Sequence, residues 1–266
     1  MQAPPVVLSI AGYDPSSGAG VTADIKTAAA LGCYAVTCVT ALTVQSTQGV
    51  FRLRALEPEL VSETLRRLAD DVDIAAVRIG MLGSGEVAAA VAGFLESRRM
   101  PKVVLDPVIR SSWGTALLDD AGLEAVRAML PLCDVITPNV AEAAILGRTE
   151  AASENGDWRA ELPRIRRMAV AVRDMGAKAV IITGGHLNPP NDYLSYGGRQ
   201  EVISGERIES RSTHGTGCAF ATALACRLAR GDELSQAARA AKAFVRKAIL
   251  SAYPVGKGVG PVNHFG

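Results

Sequence analysis

Short apolar runs alternate with helix-like stretches along almost the whole chain, and this alternation constrains the fold most. Residues 6–10 read as a strand and 20–31 as a helix. Residues 35–42 form the next strand and 58–68 the next helix. Strands at 75–79 and 102–105 are separated by a helix at 86–97. Val135–Ile136 is a short strand followed by a helix from Val140. A helix at 164–175 precedes the strand Ala179–Ile182, and helices near 215–230 and 233–252 close the chain. This order predicts an α/β fold, a central and mainly parallel sheet with helices on both faces. Two regions interrupt it. Residues 188–205 are rich in Asn, Pro, Gly and Tyr, with short β-like pieces at 192–195 and 201–204, and read as a hairpin or small flap near a site. Residues 150–157 are polar and read as an exposed loop.

Composition narrows the classes. The chain has 266 residues, 48% hydrophobic and 21% charged, which suits one domain over residues 1–266. A formal net charge of +1 offers no basic field, so nucleic acid is not an expected partner. The longest apolar runs fall short of a membrane span, and the N-terminus lacks a basic segment followed by an apolar core. Five scattered cysteines, with no Cys-x-x-Cys pair, fit a reducing cytoplasm. Three distant histidines argue against zinc.

The unusual polar residues follow strand ends, where open parallel sheets bind ligands. Gly215-Thr216-Gly217-Cys218 precedes a helix with Phe220, Leu224 and Leu228 at every fourth position. Unpaired amides and partial positive charge at a helix start, approached through glycines, make an anion hole. Cys218 would stand there as base or charge partner, its thiol pKa lowered by the helix end; the bland alternative is a Gly-rich turn with a small buried Cys. Asn139 and Glu142 have capping-box spacing, but also suit nucleotide phosphate and water-bridged Mg²⁺. Asp106, ahead of Pro107, is either a turn residue or a second carboxylate for Mg²⁺. Asp24 lies beside the apolar face of the first helix and needs a partner; a ligand with a ring nitrogen and exocyclic amine is one, a helix-start acid the plainer reading. Gln45 reads as a loop amide, or as a donor and acceptor along a heteroaromatic edge, and Met81 as a core thioether, or as a surface for an aromatic ring. Lys242 reads as a solvated helix lysine or a phosphate contact. His186 and His214 read as loop or cap residues.

Taken together, these motifs resemble the hydroxymethylpyrimidine (phosphate) kinases of thiamin biosynthesis. The resemblance rests on Ala11-Gly12-Tyr13-Asp14-Pro15-Ser16-Ser17-Gly18-Ala19-Gly20, Ala23-Asp24-Ile25-Lys26-Thr27, Thr40 to Gln45, and Ile79-Gly80-Met81-Leu82. It continues through Leu105-Asp106-Pro107-Val108, Thr137-Pro138-Asn139, Gly184-Gly185-His186, His214 to Cys218, and Gly260 to Phe265. It implies a ribokinase-like fold, a homodimer, and ATP with Mg²⁺. It implies a small pyrimidine substrate held by Asp24 and Gln45, with Gly12, Ala19, Met81 and Val108 around the ring. The catalytic anion hole would be Gly215, Thr216, Gly217 and Cys218. Asn139, Glu142, Thr183, Gly185 and Lys242 would face ATP, and Asp106 and Glu142 the metal.

Two departures stand out. Thr183 replaces a lysine found in several relatives, and the Arg110-Ser111-Ser112-Trp113-Gly114 loop differs from the common Ser-Gly. The expected reaction is phosphorylation of the hydroxymethylpyrimidine and then of its monophosphate. A pyridoxine or pyridoxal kinase of the same fold is the alternative within the class, and a non-catalytic nucleotide or pyrimidine sensor the alternative outside it.

Overall fold

The computed structural model of the chain describes residues 3–111, 114–153 and 155–266. Ser112, Trp113 and Glu154 lie outside them, and with them the middle of the loop at 110–114 that departs from the common Ser-Gly. Among the described residues nine strands form one sheet. They are β1 (Val6–Tyr13), β2 (Tyr34–Ser46), β3 (Gly49–Ala55), β4 (Ile74–Ile79), β5 (Val103–Leu105), β6 (Val135–Ile136), β7 (Ala179–Ile182), β8 (Asp192–Tyr196) and β9 (Arg199–Ile203). Their order across the sheet is β3-β2-β1-β4-β5-β6-β7-β8-β9. The six strands from β2 to β7 are parallel, and β3, β8 and β9 extend the two edges antiparallel.

The α-helices of the described residues cover the sheet: α1 (Gly20–Ala30), α2 (Pro58–Asp71), α3 (Gly85–Ser97), α4 (Asp120–Met129), α5 (Val140–Gly147), α6 (Trp158–Asp174), α7 (Thr216–Ala229) and α8 (Leu234–Leu250). Strand side chains alternate between two cores, as the period of two requires. Leu8, Ile10, Val77, Ile79 and Leu105 pack with α2 to α6 on one face. Val7, Ala76, Val104 and Ile181 pack with α1, α7 and α8 on the other. Each such fully buried aliphatic side chain contributes roughly 1.5–3 kcal/mol.

The structure departs from the sequence reading in four places. β2 runs on to Ser46 and turns through Thr47 and Gln48 into β3, which was not expected. The run from Gly49 to Ala55 includes two arginines, and its pairing with β2 makes it a strand. Helix α4 was also unexpected; Asp119 caps it by accepting from the Gly122 amide at 2.7 Å. Helix α6 starts six residues before the expected start, despite Pro163. Asp157 caps it at 2.9 Å from the Ala160 amide, and Trp158 is buried at its first turn. Finally, the region expected as a hairpin or flap is the β8–β9 hairpin, and it is part of the main sheet. Gly197 and Gly198, both at positive φ, make its two-residue turn.

Candidate active site

A cavity of about 1100 Å³ runs along the carboxyl ends of the parallel strands. Strand order sets the sequence of its walls. Gln45 on β2 and Gly12 on β1 come first, with Ala19 before α1. Met81 follows β4, and Asp106 and Val108 follow β5. Asn139 and Glu142 come after β6, and Thr183 and Gly185 after β7. Lys242 faces in from α8. Gly215, Thr216, Gly217 and Cys218 also line it, at the start of α7.

The start of α7 is shaped by Gly215. Its φ is 84°, and a Cβ there would lie 1.8 Å from the Gly18 carbonyl oxygen. Only glycine lets the 212–217 loop press against the 14–20 loop so closely. Among the described residues no side chain caps this helix; the Thr216 amide meets the Thr213 carbonyl at 3.4 Å, which leaves the Gly217 and Cys218 amides at the cavity as the anion donors.

Cys218 is half-buried behind those amides. Its thiol is pushed up to about 11, against the expectation of a lowered value. Burial is the main cause; Arg78 and the Gly20 amide pull the other way, and Asp106 and Asp24 add to the rise. The helix end is outweighed, and the thiol is neutral at pH 7.

Asp24 is the second correction. It is fully buried and does not line the cavity. It accepts from Ser9 Oγ at 2.5 Å, Thr222 Oγ1 at 2.7 Å and Arg78 Nη1 at 3.1 Å. The partner that this carboxylate needed is an arginine within the protein, not a ligand. Arg78 is itself fully buried in β4, and its Nη2 donates to Asp106 Oδ2 at 2.7 Å. Gly80 makes room for it, since a Cβ there would sit 2.0 Å from Nη1. Arg78 was missed in the sequence; the available signal was one charged residue inside an otherwise apolar strand. Burial works against its charge, but Asp24 and Asp106 hold the guanidinium protonated.

Glu142 and Asn139 form the full capping box. Asn139 Oδ1 accepts from the Glu142 amide, and Glu142 Oε2 from the Asn139 amide, both at 2.9 Å. Burial pushes the Glu142 carboxyl up to about 8, and nearby Asp106 adds to the rise. Asp106 is also raised by burial, which Arg78 opposes. Two close, buried carboxylates facing one cavity favour a cation between them. With phosphate oxygens and water completing the shell, the donor set fits Mg²⁺.

Lys242 lines the cavity, but its ammonium is already held. Nζ lies 2.7 Å from Asp192 Oδ2 and donates to the Pro190 carbonyl at 2.8 Å. The Thr183 amide donates to the Pro138 carbonyl, which ties β7 to the loop before α5. His214, expected as a cap, is buried at the centre of a network. Its Nε2 lies 2.8 Å from Asp14 Oδ2 and 3.2 Å from the Gln45 amide. Asp14 also accepts from Ser16 N, Ser16 Oγ, Gly18 N and Ala19 N at 2.7–3.1 Å. Burial raises the Asp14 carboxyl, but the hydrogen bonds from His214 and Ser16 outweigh it and leave it below its ordinary value.

The family described as phosphomethylpyrimidine kinase matches residues 14–263. A hydroxymethylpyrimidine/phosphomethylpyrimidine kinase of Streptomyces coelicolor is 41% identical, over 98% of this chain and 94% of that protein. One of Rhizobium meliloti is 42% identical, over 98% and 97%. Among solved structures, an ADP complex of Bacillus subtilis pyridoxal kinase superposes with a TM-score of 0.87 at 30% identity, covering 98% of this chain and 97% of that one. The phosphomethylpyrimidine kinase of Clostridium difficile 630 gives 0.79 at 30% identity, covering 92% and 99%.

Proposed function

The chain belongs to the phosphomethylpyrimidine kinase family, and from that premise we propose that it transfers the ATP γ-phosphoryl group to 4-amino-5-hydroxymethyl-2-methylpyrimidine and then to its monophosphate. The observation that carries this reading is that one cavity is lined by Gln45 and Met81, by the start of α7 and by the buried carboxylates Asp106 and Glu142. Gln45, Gly12, Ala19, Met81 and Val108 bound the acceptor ring, and Asn139, Thr183 and Gly185 face the nucleotide.

The acceptor hydroxyl oxygen forms a bond to the γ-phosphorus as the bond to the ADP oxygen breaks. Such a loose transition state needs alignment and charge neutralisation more than a strong base. The Gly217 and Cys218 amides stabilise the transferring group. Asp106 and Glu142 would hold Mg²⁺, which when bound supplies charge neutralisation at the phosphates. The neutral Cys218 thiol sits beside this path with the Arg78 cation behind it, so any thiolate character there is supported by Arg78 rather than by the helix end alone.

A homodimer belongs to the same reading. Leu42, Val44 and Phe51 on β2 and β3 are about half to two-thirds exposed, apolar area that a second copy would cover. Sedimentation at two concentrations checks this. A cytoplasmic setting agrees with five free cysteines. Among the described residues no helix is long and apolar enough to cross a membrane.

ADP release with Mg²⁺-ATP and four acceptors tests the activity: hydroxymethylpyrimidine, its monophosphate, pyridoxine and ribose. Turnover of both pyrimidines is the expected result. Pyridoxine alone as acceptor would move the substrate to pyridoxal chemistry. ATP and pyrimidine binding without turnover on any acceptor would make the protein a sensor.

A further inference from the structure

The contact between His214 and Gln45 carries an inference about specificity, resting on the pyrimidine kinase reading above. His214 Nε2 touches both Asp14 Oδ2, at 2.8 Å, and the Gln45 amide nitrogen, at 3.2 Å. Asp14 is a carboxylate with five hydrogen-bond donors around it, so it can only accept. The hydrogen on that side of the imidazole is therefore on Nε2. With the Gln45 nitrogen turned to His214, two donors would face each other.

The other end of the amide is equally informative. Thr43 Oγ1 lies 3.2 Å from Gln45 Oε1 and 3.0 Å from the Tyr13 carbonyl oxygen. A hydroxyl has one hydrogen, and a carbonyl can only accept. Donating that hydrogen to Tyr13 leaves Thr43 Oγ1 as an acceptor. Turning the Gln45 amide by 180° removes both mismatches: its oxygen shares the one Nε2 hydrogen with Asp14 as the longer arm of a three-centre bond, and its nitrogen donates to Thr43. One amide hydrogen then remains for the cavity, which Gln45 lines.

We propose that His214, oriented by Asp14, and Thr43 are positioning residues that lock the Gln45 amide as a donor toward the acceptor ring. A pyrimidine ring nitrogen beside the amino-bearing carbon can only accept, so it matches this fixed donor. A pyridoxine carries a ring hydroxyl at the corresponding place, which donates as well as accepts and gains from an amide free to turn. The Asp14–His214–Thr43 frame thus favours the pyrimidine over the pyridine. It acts through Gln45 and touches neither nucleotide nor phosphoryl group.

The test is steady-state kinetics on the full chain with hydroxymethylpyrimidine and pyridoxine as acceptors. H214L removes the donor, and H214Q returns an N–H of similar reach. H214L is expected to raise KM for hydroxymethylpyrimidine about tenfold, the scale of one lost directional hydrogen bond, with KM for ATP held within about twofold. The ratio of kcat/KM between pyrimidine and pyridoxine falls by a similar factor, and H214Q restores most of it. T43V, on the other side of the amide, shifts the same ratio in the same direction by about threefold, so the inference stays testable if H214L folds poorly. Equal losses on both acceptors, in either variant, would overturn the frame while leaving the kinase reading intact. A wild-type chain that phosphorylates no pyrimidine would overturn the kinase reading first, and this inference with it.

Discussion

Two cations flank the cavity, one buried and one partly exposed, and they are held in opposite ways. Arg78 lies inside β4 with no exposure and forks between Asp24 and Asp106. Lys242 stands on α8, is 18% exposed, and meets one carboxylate, Asp192, and one carbonyl. A planar guanidinium gripped from two sides cannot swing toward a ligand. A lysine on a flexible stem at the cavity wall can exchange a carbonyl for a phosphate oxygen. The first cation is thus a strut that fixes the catalytic floor, and the second is a contact that binding can recruit.

Breaking the strut should have the largest effect. R78M strands Asp24 and Asp106 in the interior, and urea unfolding should register a loss of about 3–5 kcal/mol. A loss under about 1 kcal/mol would show that the two carboxylates do not depend on Arg78.

The next effect sharpens what the strut does for its neighbour. The Cys218 thiol is raised to about 11 by burial, even with Arg78 beside it. Alkylation by iodoacetamide near neutral pH should therefore run about 100-fold slower than at an unshifted thiol. Its rate should keep climbing as pH rises toward 11, since deprotonation creates the nucleophile. A rate that levels off near pH 7 would mean that the helix end does control the thiol.

Lys242 carries the smallest effect. K242M leaves the buried Asp192 with the Gly184 amide, at 3.1 Å, as a remaining donor. A stability loss of about 1–2 kcal/mol is expected, together with a raised KM for ATP. An unchanged KM for ATP would make Lys242 a second strut rather than a recruitable contact.

Much of this architecture was legible in the chain. The alternation of apolar strands and amphipathic helices led to the parallel sheet because those patterns have local periods. The Gly215–Cys218 motif led to the helix start because glycine spacing and helix periodicity lie within a few residues of each other. What escaped depends on distant partners. β3 has an ambiguous run that becomes a strand only by pairing with β2. Asp24 looked unpartnered because Arg78 is 54 residues away in sequence. His214 looked like a cap because Asp14 is 200 residues away. The direction of the Cys218 shift was misjudged for the same reason: the helix end was visible locally, and the burial and carboxylates that outweigh it were not.

The most direct test compares D24N with Q45A in KM for hydroxymethylpyrimidine and in Tm. Asp24 holds Arg78, and Gln45 is proposed to hold the acceptor ring. D24N should keep KM within about twofold and lower Tm, while Q45A should raise KM about tenfold and leave Tm in place. The reverse pattern, a raised KM with an unchanged Tm in D24N, would return Asp24 to the substrate and contradict the account.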